Sequence, residues 1–260
     1  MSYNMKNYNK IAALLVTLIA IFTVACAVSV VTICINGARP DIYTGGGSED
    51  SRSQTELRKT FDYGDGYIKK IIFVGDKTIS PISDVITDVD KAQVWSSIDG
   101  TLPLDNNIKT IAIIHSEGNK GSSISSAAEI YKPQYIIITV GLENGVAYCN
   151  KEKFKEYYND LISSIKEASP STNIILQSIF PISKEAEKAN PNIANDRIDV
   201  ANEWIIEICE ETSVKFLNTA PALKDSKGYL ASEYDSGNGI NLNAEGYAAM
   251  IDYIRTHGYQ

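Results

Sequence analysis

The residues that could perform nucleophilic chemistry are a small set of hydroxyls and two histidines. Ser80 and Ser83 lie three and six residues after Lys77, and the histidines are His115 and His257. A serine nucleophile needs a neighbouring base, most often histidine, to remove its proton. His115 precedes a predicted loop, and His257 follows the last predicted helix, where a helix C-terminal cation or a surface residue is expected. A Ser80–His115 pair is therefore an alternative that no spacing supports.

The four cysteines do not have the spacing of a metal site. Cys26 and Cys34 lie in an apolar run, and only Cys149 and Cys209 lie outside it. The outer two could pair in an oxidising compartment, but Cys149 follows a predicted strand and Cys209 lies in a predicted helix. We therefore predict two separate, buried thiols, no metal and no cofactor.

The elements that must position these groups alternate between strands and helices. Short apolar, β-branched runs predict strands at 71–74, 135–140, 173–179 and 214–217, with a further parallel strand at 94–98 and a strand or hairpin at 110–114. Helical periodicity predicts helices at 151–167, 193–211 and 243–255. Strands that are apolar on both faces belong in a covered parallel sheet. The expected fold is a three-layer α/β/α sandwich with a mainly parallel, flavodoxin-like sheet and its active region at the carboxyl ends of the strands.

Separate sequence blocks follow these predicted strands in order. They read Ile-Ile-Phe-Val-Gly-Asp at 71–76, Thr-Val-Gly-Leu-Glu-Asn-Gly at 139–145 and Asn-Gly-Ile-Asn-Leu-Asn-Ala-Glu-Gly-Tyr at 238–247, while Gly100 stands after the second strand. In this arrangement residues 68–257 resemble the SGNH or GDSL hydrolase family. By this resemblance 71–76 is the family's first block, Gly100 belongs to its second, 139–145 is its third and 238–247 is its fifth, which is the strongest match. The resemblance implies a nucleophile after Asp76, and oxyanion donors at Gly100 and in the block that contains Gly141.

At the functional positions of that family this chain has other residues. By the resemblance, Lys77 takes the place of the serine nucleophile, Asn241 that of the histidine and Asn238 that of the acid. Strict Gly-x-Asn spacing puts Glu143 at the oxyanion donor, and a shift of one residue puts Asn144 there. A carboxamide cannot take a proton from a hydroxyl near neutral pH, and an ionised glutamate repels an oxyanion. No intact catalytic residue is expected.

Two of these substitutions have opposite charges. In the family the nucleophile and the third-block donor face each other, so Lys77 and Glu143 are predicted to form an ion pair that fills the old catalytic centre. The alternative is that both side chains point to water at the mouth of a cleft. Such a pair would be structural, because a charged lysine is a poor nucleophile.

The N-terminal sequence predicts a membrane anchor. Residues 11–35 contain no charged side chain. This uncharged run is long enough to span a bilayer, and it is longer than the apolar region of a cleaved signal peptide. A lipoprotein-like box at 23–26 is a weaker alternative. Lys6 and Lys10 precede the run, so residues 1–10 are predicted to be a cytoplasmic tail and the rest to lie outside the membrane. Gly- and Ser-rich residues 36–66 predict a flexible stalk, and residues 67–260 a single hydrolase-like domain.

Charge and aromatic content narrow the class of partner. After residue 40 the chain carries 21 basic and 32 acidic side chains, so nucleic acid is an unlikely partner. Tyr148, Tyr229 and Tyr234 fall in predicted loops near the cleft, where they could stack on sugar rings. The favoured interpretation is that these three tyrosines have an ordinary structural role and do not bind a sugar. Further aromatic residues are predicted to pack on the sheet, namely Tyr157, Tyr158, Tyr247, Tyr253, Trp95 and Trp204.

Three functional hypotheses follow from this sequence. The first is a membrane-anchored, extracytoplasmic SGNH-like domain that no longer hydrolyses esters and binds a cell-surface ligand, such as an acylated glycan or wall polymer. The second is a divergent esterase or deacetylase that acts on cell-surface carbohydrate with an unidentified nucleophile. In the third, the domain is an interaction module for a neighbouring membrane protein.

Overall fold

Five parallel strands form the centre of the domain. The computed structural model describes residues 54–114 and 121–260, apart from the Glu143 side chain. The strands in these ranges are β1 Ile71–Gly75, β2 Val94–Trp95, β3 Tyr135–Thr139, β4 Asn173–Gln177 and β5 Lys215–Leu217. Their order is β2-β1-β3-β4-β5, and every pairing is parallel. The predicted α/β fold with a parallel, flavodoxin-like sheet is confirmed, and the segment predicted at 94–98 does supply a parallel strand.

Helices cover both faces of this sheet. Their bounds are α1 Asp65–Ile68, α2 Ile82–Val85, α3 Ile124–Tyr131, α4 Lys151–Ala168, α5 Lys184–Ala189, α6 Asn195–Thr212, α7 Ala220–Leu223 and α8 Ala244–Arg255. Ile136 and Ile138 of β3 join the core under α3, α4 and α6, whereas Ile137 joins the core under α1, α2, α7 and α8. Side chains alternate along a strand, so an uninterrupted apolar run serves both layers.

The three long helices agree with their sequence predictions to within two residues, and two of them, α4 and α8, begin at a clear signal. Asn150 accepts a hydrogen bond from the Lys153 N–H at the start of α4, and Asn243 accepts one from Gly246 at the start of α8. These are N-caps, which satisfy backbone donors that the first turn leaves open.

Other segments differ from the sequence predictions. The strand or hairpin predicted at 110–114 is reduced to isolated antiparallel bridges of Ile113 with Ser122 and of Ile114 with Ser96. The segment pairs with loops beside the sheet, so its apolar residues pack without forming a regular strand. Helices α3 and α5 were not predicted, although both begin at a serine N-cap, Ser123 and Ser183.

The chain before α1 packs on the domain. Leu57 is 4% exposed, and its N–H donates to the Phe216 carbonyl at 2.8 Å. The N–H groups of Thr60 and Tyr63 donate to carbonyls of Thr256 and Arg255 at the end of α8. Residues from 54 onward, which the composition assigns to a flexible stalk, therefore have fixed contacts with β5 and α8. A Gly- and Ser-rich composition does not reveal that a single leucine within it is buried.

The predicted membrane span at 11–35 and the tail before it lie outside the described residues. Among residues 54–114 and 121–260, no helix combines the length and apolar character needed to cross a membrane. Residues 47–260 form a compact unit by themselves.

The two outer cysteines are separate thiols. Cys209 is buried, whereas Cys149 is partly exposed, so the prediction of burial holds for only one of them. Burial raises the pKa of the Cys209 thiol well above its usual value, and burial is also the main cause of the raised pKa of Cys149.

Candidate functional site

The first block forms a tight turn directly after β1. The buried Asp76 carboxylate accepts hydrogen bonds from the Thr78 N–H at 3.0 Å and the Thr78 hydroxyl at 2.7 Å. The N–H groups of Ile79 and Ser80 both donate to the Asp76 carbonyl at 2.9 Å. An aspartate that bonds the backbone two residues later stabilises a turn of this kind. The turn leaves Lys77 exposed at the carboxyl edge of the sheet.

Gly100 lies against this turn, and its role as an oxyanion donor stays a prediction. Its φ of +75° favours glycine. A Cβ atom at this position would stand 2.8 Å from the Ser80 hydroxyl oxygen and 3.7 Å from Cγ of Lys77. Gly100 therefore lies close to the side chains of both Ser80 and Lys77.

The third block follows β3 and forms one wall of a cavity. Gly141 has a φ of +107° and precedes a π-helix at Leu142–Val146. The cavity, of about 260 Å³, is lined by Asp76, Gly141, Asn144 and residues 101–104. The structure therefore brings Asp76, Gly141 and Asn144 together. The Glu143 side chain lies outside the described part of the structure, so its predicted ion pair with Lys77 stays a prediction.

Buried polar side chains fix the strand ends behind this cavity. The Gln177 side-chain oxygen accepts a hydrogen bond from the Thr139 hydroxyl at 2.7 Å, and its amide nitrogen donates to the Thr219 hydroxyl at 2.9 Å. The Tyr158 hydroxyl donates to the Val140 carbonyl at 2.9 Å. Since these groups are buried and paired, their hydrogen bonds fix the ends of β3 and β4 and the segment after β5 relative to one another.

The fifth block forms the loop before α8. The Asn238 side-chain oxygen accepts hydrogen bonds from the N–H groups of Ile240 at 2.9 Å and Asn241 at 2.8 Å. The Asp235 carboxylate accepts hydrogen bonds from Gly237 and Gly239, both at 2.8 Å. Asn238 is exposed and stabilises its own loop, while Asn241 is partly buried.

Tyr247 connects the fifth block to the first. Its hydroxyl donates to the Thr78 carbonyl at 2.7 Å, and both residues are buried. Burial is the main cause of the raised pKa of the Tyr247 phenol, and the nearby Asp76 carboxylate adds to it. The same two causes, in the same order, contribute to the raised pKa of Tyr158. Both phenols are therefore neutral donors at neutral pH.

The remaining candidates for chemistry do not join this site. His257 follows α8 and stacks on the Tyr253 ring with centroids 3.7 Å apart, in agreement with the predicted position after the last helix. His115 lies outside the described residues. Within the described ranges, no group of three or more His, Cys, Asp or Glu side chains is arranged to hold a metal ion. Tyr148 is 79% exposed, and Tyr229 and Tyr234 are partly buried.

The aromatic residues predicted to pack on the sheet divide into two groups. Trp95, Tyr158 and Tyr247 are fully buried, whereas Tyr157, Tyr253 and Trp204 are partly buried at the edges of the core.

Sequence reasoning missed the cavity wall at 101–104 and the positions of Ser80 and Thr78. The wall residues Thr-Leu-Pro-Leu directly follow Gly100, and an apolar run that contains proline after a strand-end glycine is the signal that could have identified them. Thr78 was detectable as the second residue after Asp76 in an Asx-type turn. The proximity of Ser80 to Gly100 depends on the tertiary fold, so no local signal reveals it.

Two solved structures are similar to this chain. A Streptococcus pneumonia protein assigned as a platelet activating factor matches with a TM-score of 0.51 at 18% identity, over 72% of this chain and 82% of that chain. A GDSL-like lipase from Bacteroides thetaiotaomicron VPI-5482 matches with a TM-score of 0.48 at 13% identity, over 79% of this chain and 92% of that chain. Comparison with curated protein sequences finds no match.

A protein-family model gives the more specific result. The model of the GDSL-like Lipase/Acylhydrolase family matches residues 116–249, which is just over half of the chain. The matched range contains the third and fifth blocks, and the turn after β1 precedes it. The chain belongs to the GDSL-like lipase/acylhydrolase family.

Proposed function

We propose that this protein is a membrane-anchored, extracytoplasmic member of the family that no longer hydrolyses esters. Instead, it binds a cell-surface ligand, such as an acylated glycan, in the remaining cleft. One observation carries the proposal. The turn after β1, Gly100 and the cavity are present, while Lys77 and Asn241 occupy the positions that the resemblance assigns to the nucleophile and the base.

The side chains at these positions cannot transfer an acyl group by the family's route. Lys77 has no hydroxyl, and the Asn241 carboxamide has no basic lone pair that could accept a proton near neutral pH. The Asn238 oxygen already accepts two backbone hydrogen bonds, so it serves its loop and not a neighbouring base. Activation of a nucleophile and orientation of a base are therefore both missing.

The cavity has properties that suit a small acyl substituent. Its volume of about 260 Å³ is below the range of about 300–1,000 Å³ that is typical of pockets for whole drug-sized ligands. Leu102, Pro103 and Leu104 supply apolar wall, and Asp76 and Asn144 supply polar atoms. This combination favours an acyl group held in the cavity while the rest of a polymer lies across the exposed surface around Lys77.

The first test is hydrolysis of a chromogenic acetyl ester by the unit of residues 47–260. The native unit is compared with a variant restored at all the changed positions, Lys77→Ser, Glu143→Asn, Asn238→Asp and Asn241→His. We expect no turnover from the native unit and measurable turnover from the restored one. Asn241→His alone is the matched control, because it supplies a base without a nucleophile and should stay inactive.

Hydrolysis by the native unit that Lys77→Ala leaves unchanged would overturn the inactive assignment. Binding is tested separately with O-acetylated and de-acetylated glycan oligomers from a bacterial wall. Affinity should fall when the acetyl groups are removed, and also in a Leu104→Asp variant that places a charge in the apolar wall. Equal affinity for the two oligomers would exclude the cavity as an acyl site.

A second candidate is a divergent esterase or deacetylase that acts on cell-surface carbohydrate. The observation that favours it is the Ser80 hydroxyl, since a Cβ atom on Gly100 would lie only 2.8 Å from it. In this case Ser80→Ala abolishes turnover by the native unit, while Ser83→Ala, three residues further along the same segment, does not. An inactive native unit removes this candidate.

A further inference from the structure

A ladder of aromatic rings runs from the surface of the domain into its core. Phe61 and Tyr63 have ring centroids 4.4 Å apart, Tyr63 and Tyr67 5.3 Å, and Tyr67 and Tyr135 5.2 Å. At the inner end Tyr67 is buried, whereas Phe61 is 72% exposed and Tyr63 36% exposed. The outer end therefore presents apolar aromatic surface to solvent on a rigid support.

This ladder lies at the amino edge of the sheet, opposite the candidate site. Tyr135 is the first residue of β3, and the Tyr63 N–H donates to the Arg255 carbonyl at the end of α8. The site residues Asp76 and Gly141 instead follow the carboxyl ends of β1 and β3. The ladder and the cleft are therefore on opposite edges of one domain.

Cationic side chains lie on the chain segments that carry the ladder. Arg58 and Lys59 precede Phe61, and Lys69 and Lys70 precede β1 at the same edge; all of them are exposed. None of these cations forms an ion pair with another side chain in residues 54–114 and 121–260.

The acidic side chains next to Phe61 share one neighbouring cation, Arg255, which also pairs with Asp252. Asp62 accepts a hydrogen bond from Nε of Arg255 at 2.9 Å, and Asp65 lies 3.5 Å from the same guanidinium. The side chains named here are five basic and three acidic, so their sum is a small positive charge, although the chain as a whole has a net charge of −8.

We propose that this amino-edge surface, formed by Phe61, Tyr63, the Arg58–Lys59 pair and the Lys69–Lys70 pair, rests on an anionic lipid bilayer. Aromatic side chains partition into the headgroup region of a membrane, and clustered basic side chains are attracted to anionic lipid. The combination fits a charged lipid surface better than it fits the acidic surface of a second copy of this chain.

The path of the chain also supports a lipid bilayer at this surface. The described chain starts at Gln54, whose carbonyl accepts a hydrogen bond from Nζ of Lys215, the first residue of β5. The chain therefore enters the domain at the amino edge. Residues 36–53 separate this point from the uncharged run at 11–35, and a segment of that length reaches at most about 60 Å when fully extended.

This orientation rests on the membrane anchor of the proposed function, and it extends that function by stating which way the cleft faces. With the amino edge on the lipid, the cleft at the carboxyl edge faces away from the bilayer. Its ligand is then a polymer or surface group presented at least one domain height from the membrane, and membrane lipid itself is out of reach.

The test places a reporter tryptophan at each edge of the full-length chain in vesicles. Phe61→Trp reports from the amino edge, and Ile98→Trp is the matched control, because Ile98 is 87% exposed beyond the carboxyl end of β2. Vesicles contain phosphatidylcholine with about 30 mol % phosphatidylglycerol and a headgroup-labelled quencher lipid. After subtraction of the unsubstituted chain, we expect at least about twofold stronger quenching for the Phe61→Trp variant.

Charge dependence gives the second measurement. Lys69→Glu with Lys70→Glu should remove the difference in quenching, whereas Lys184→Glu with Lys188→Glu, on exposed residues of α5, should preserve it. About 1 M salt should also weaken the difference, because the Debye length falls to about 3 Å. Equal quenching of the two reporters in a vesicle-bound chain would overturn the orientation alone. A chain that fails to associate with vesicles would overturn the membrane anchor as well.

Discussion

The hydroxyl of Tyr247 should stabilise the domain by an amount that one substitution can measure. It donates to the Thr78 carbonyl at 2.7 Å and thereby joins α8 to the turn that carries Lys77. Tyr247→Phe removes the donor and keeps the ring. The buried Thr78 carbonyl then has neither this partner nor free access to water.

The size of the effect follows from that loss. A buried acceptor left without its donor costs about 1–3 kcal/mol, and we take about 2 kcal/mol for a neutral phenol–carbonyl pair. For a domain of about 200 residues, each kcal/mol shifts Tm by about 2–4 °C. Tyr247→Phe should therefore lower Tm by about 4–8 °C and lower the urea midpoint without changing the slope of the transition.

The assay is thermal and urea unfolding of residues 47–260, with Tyr157→Phe as the control. Tyr157 is partly buried on α4, and its hydroxyl has no hydrogen-bond partner among the described residues. The control should change the free energy of unfolding by less than about 0.5 kcal/mol. If the two variants are equally stable, or if Tyr247→Phe is as stable as the native protein, the bond between α8 and the turn does not contribute as argued.

Two further predictions concern backbone space and alkaline pH. Gly75→Ala should destabilise by about 1–3 kcal/mol, because its Cβ would lie 2.5 Å from Cβ of Ile79, and Gly66→Ala, with nothing within 4 Å, should cost far less in the same urea titration. Burial raises the pKa of Tyr67 to about 12. Since the unfolded phenol titrates near pH 10, the associated stability is complete below about pH 10 and is lost as the pH rises towards about 12. Urea midpoints at rising pH should fall less steeply in Tyr67→Phe than in the native unit, and parallel slopes would contradict this.

The central strands were predictable because each is an apolar, β-branched run between turn signals. The segment at 135–140 illustrates this, since β3 needs residues that fit two apolar layers and little else could occupy it. The three long helices were predictable from their apolar periodicity, and asparagine caps also mark the starts of α4 and α8. The segment at 110–114 misled the prediction, because Ile113 and Ile114 pair only with loop residues.

Part of the cavity lining was also predictable, because Asp76, Gly141 and Asn144 belong to blocks at strand ends. The roles that the resemblance gives to Lys77, Asn238 and Asn241 stay predictions. The positions of Asp76, Gly100, Gly141 and Asn144 follow from the order of these blocks, and the structure groups three of them around one cavity. The packing of Leu57 before α1 was not predictable, since its partner Phe216 lies far along the chain.

The sequence by itself determined which chemical groups are present and absent at the family positions. Lys77, Asn238 and Asn241 have fixed chemistry wherever the chain places them, because the side chain alone decides whether a group is a nucleophile, a base or neither. Only the tertiary structure decided which groups meet. The contact of Gly100 with Ser80, the Tyr247–Thr78 bond and the separation of the aromatic ladder from the cleft join residues distant in sequence. Such contacts depend on how the sheet and helices pack, and no local pattern encodes them.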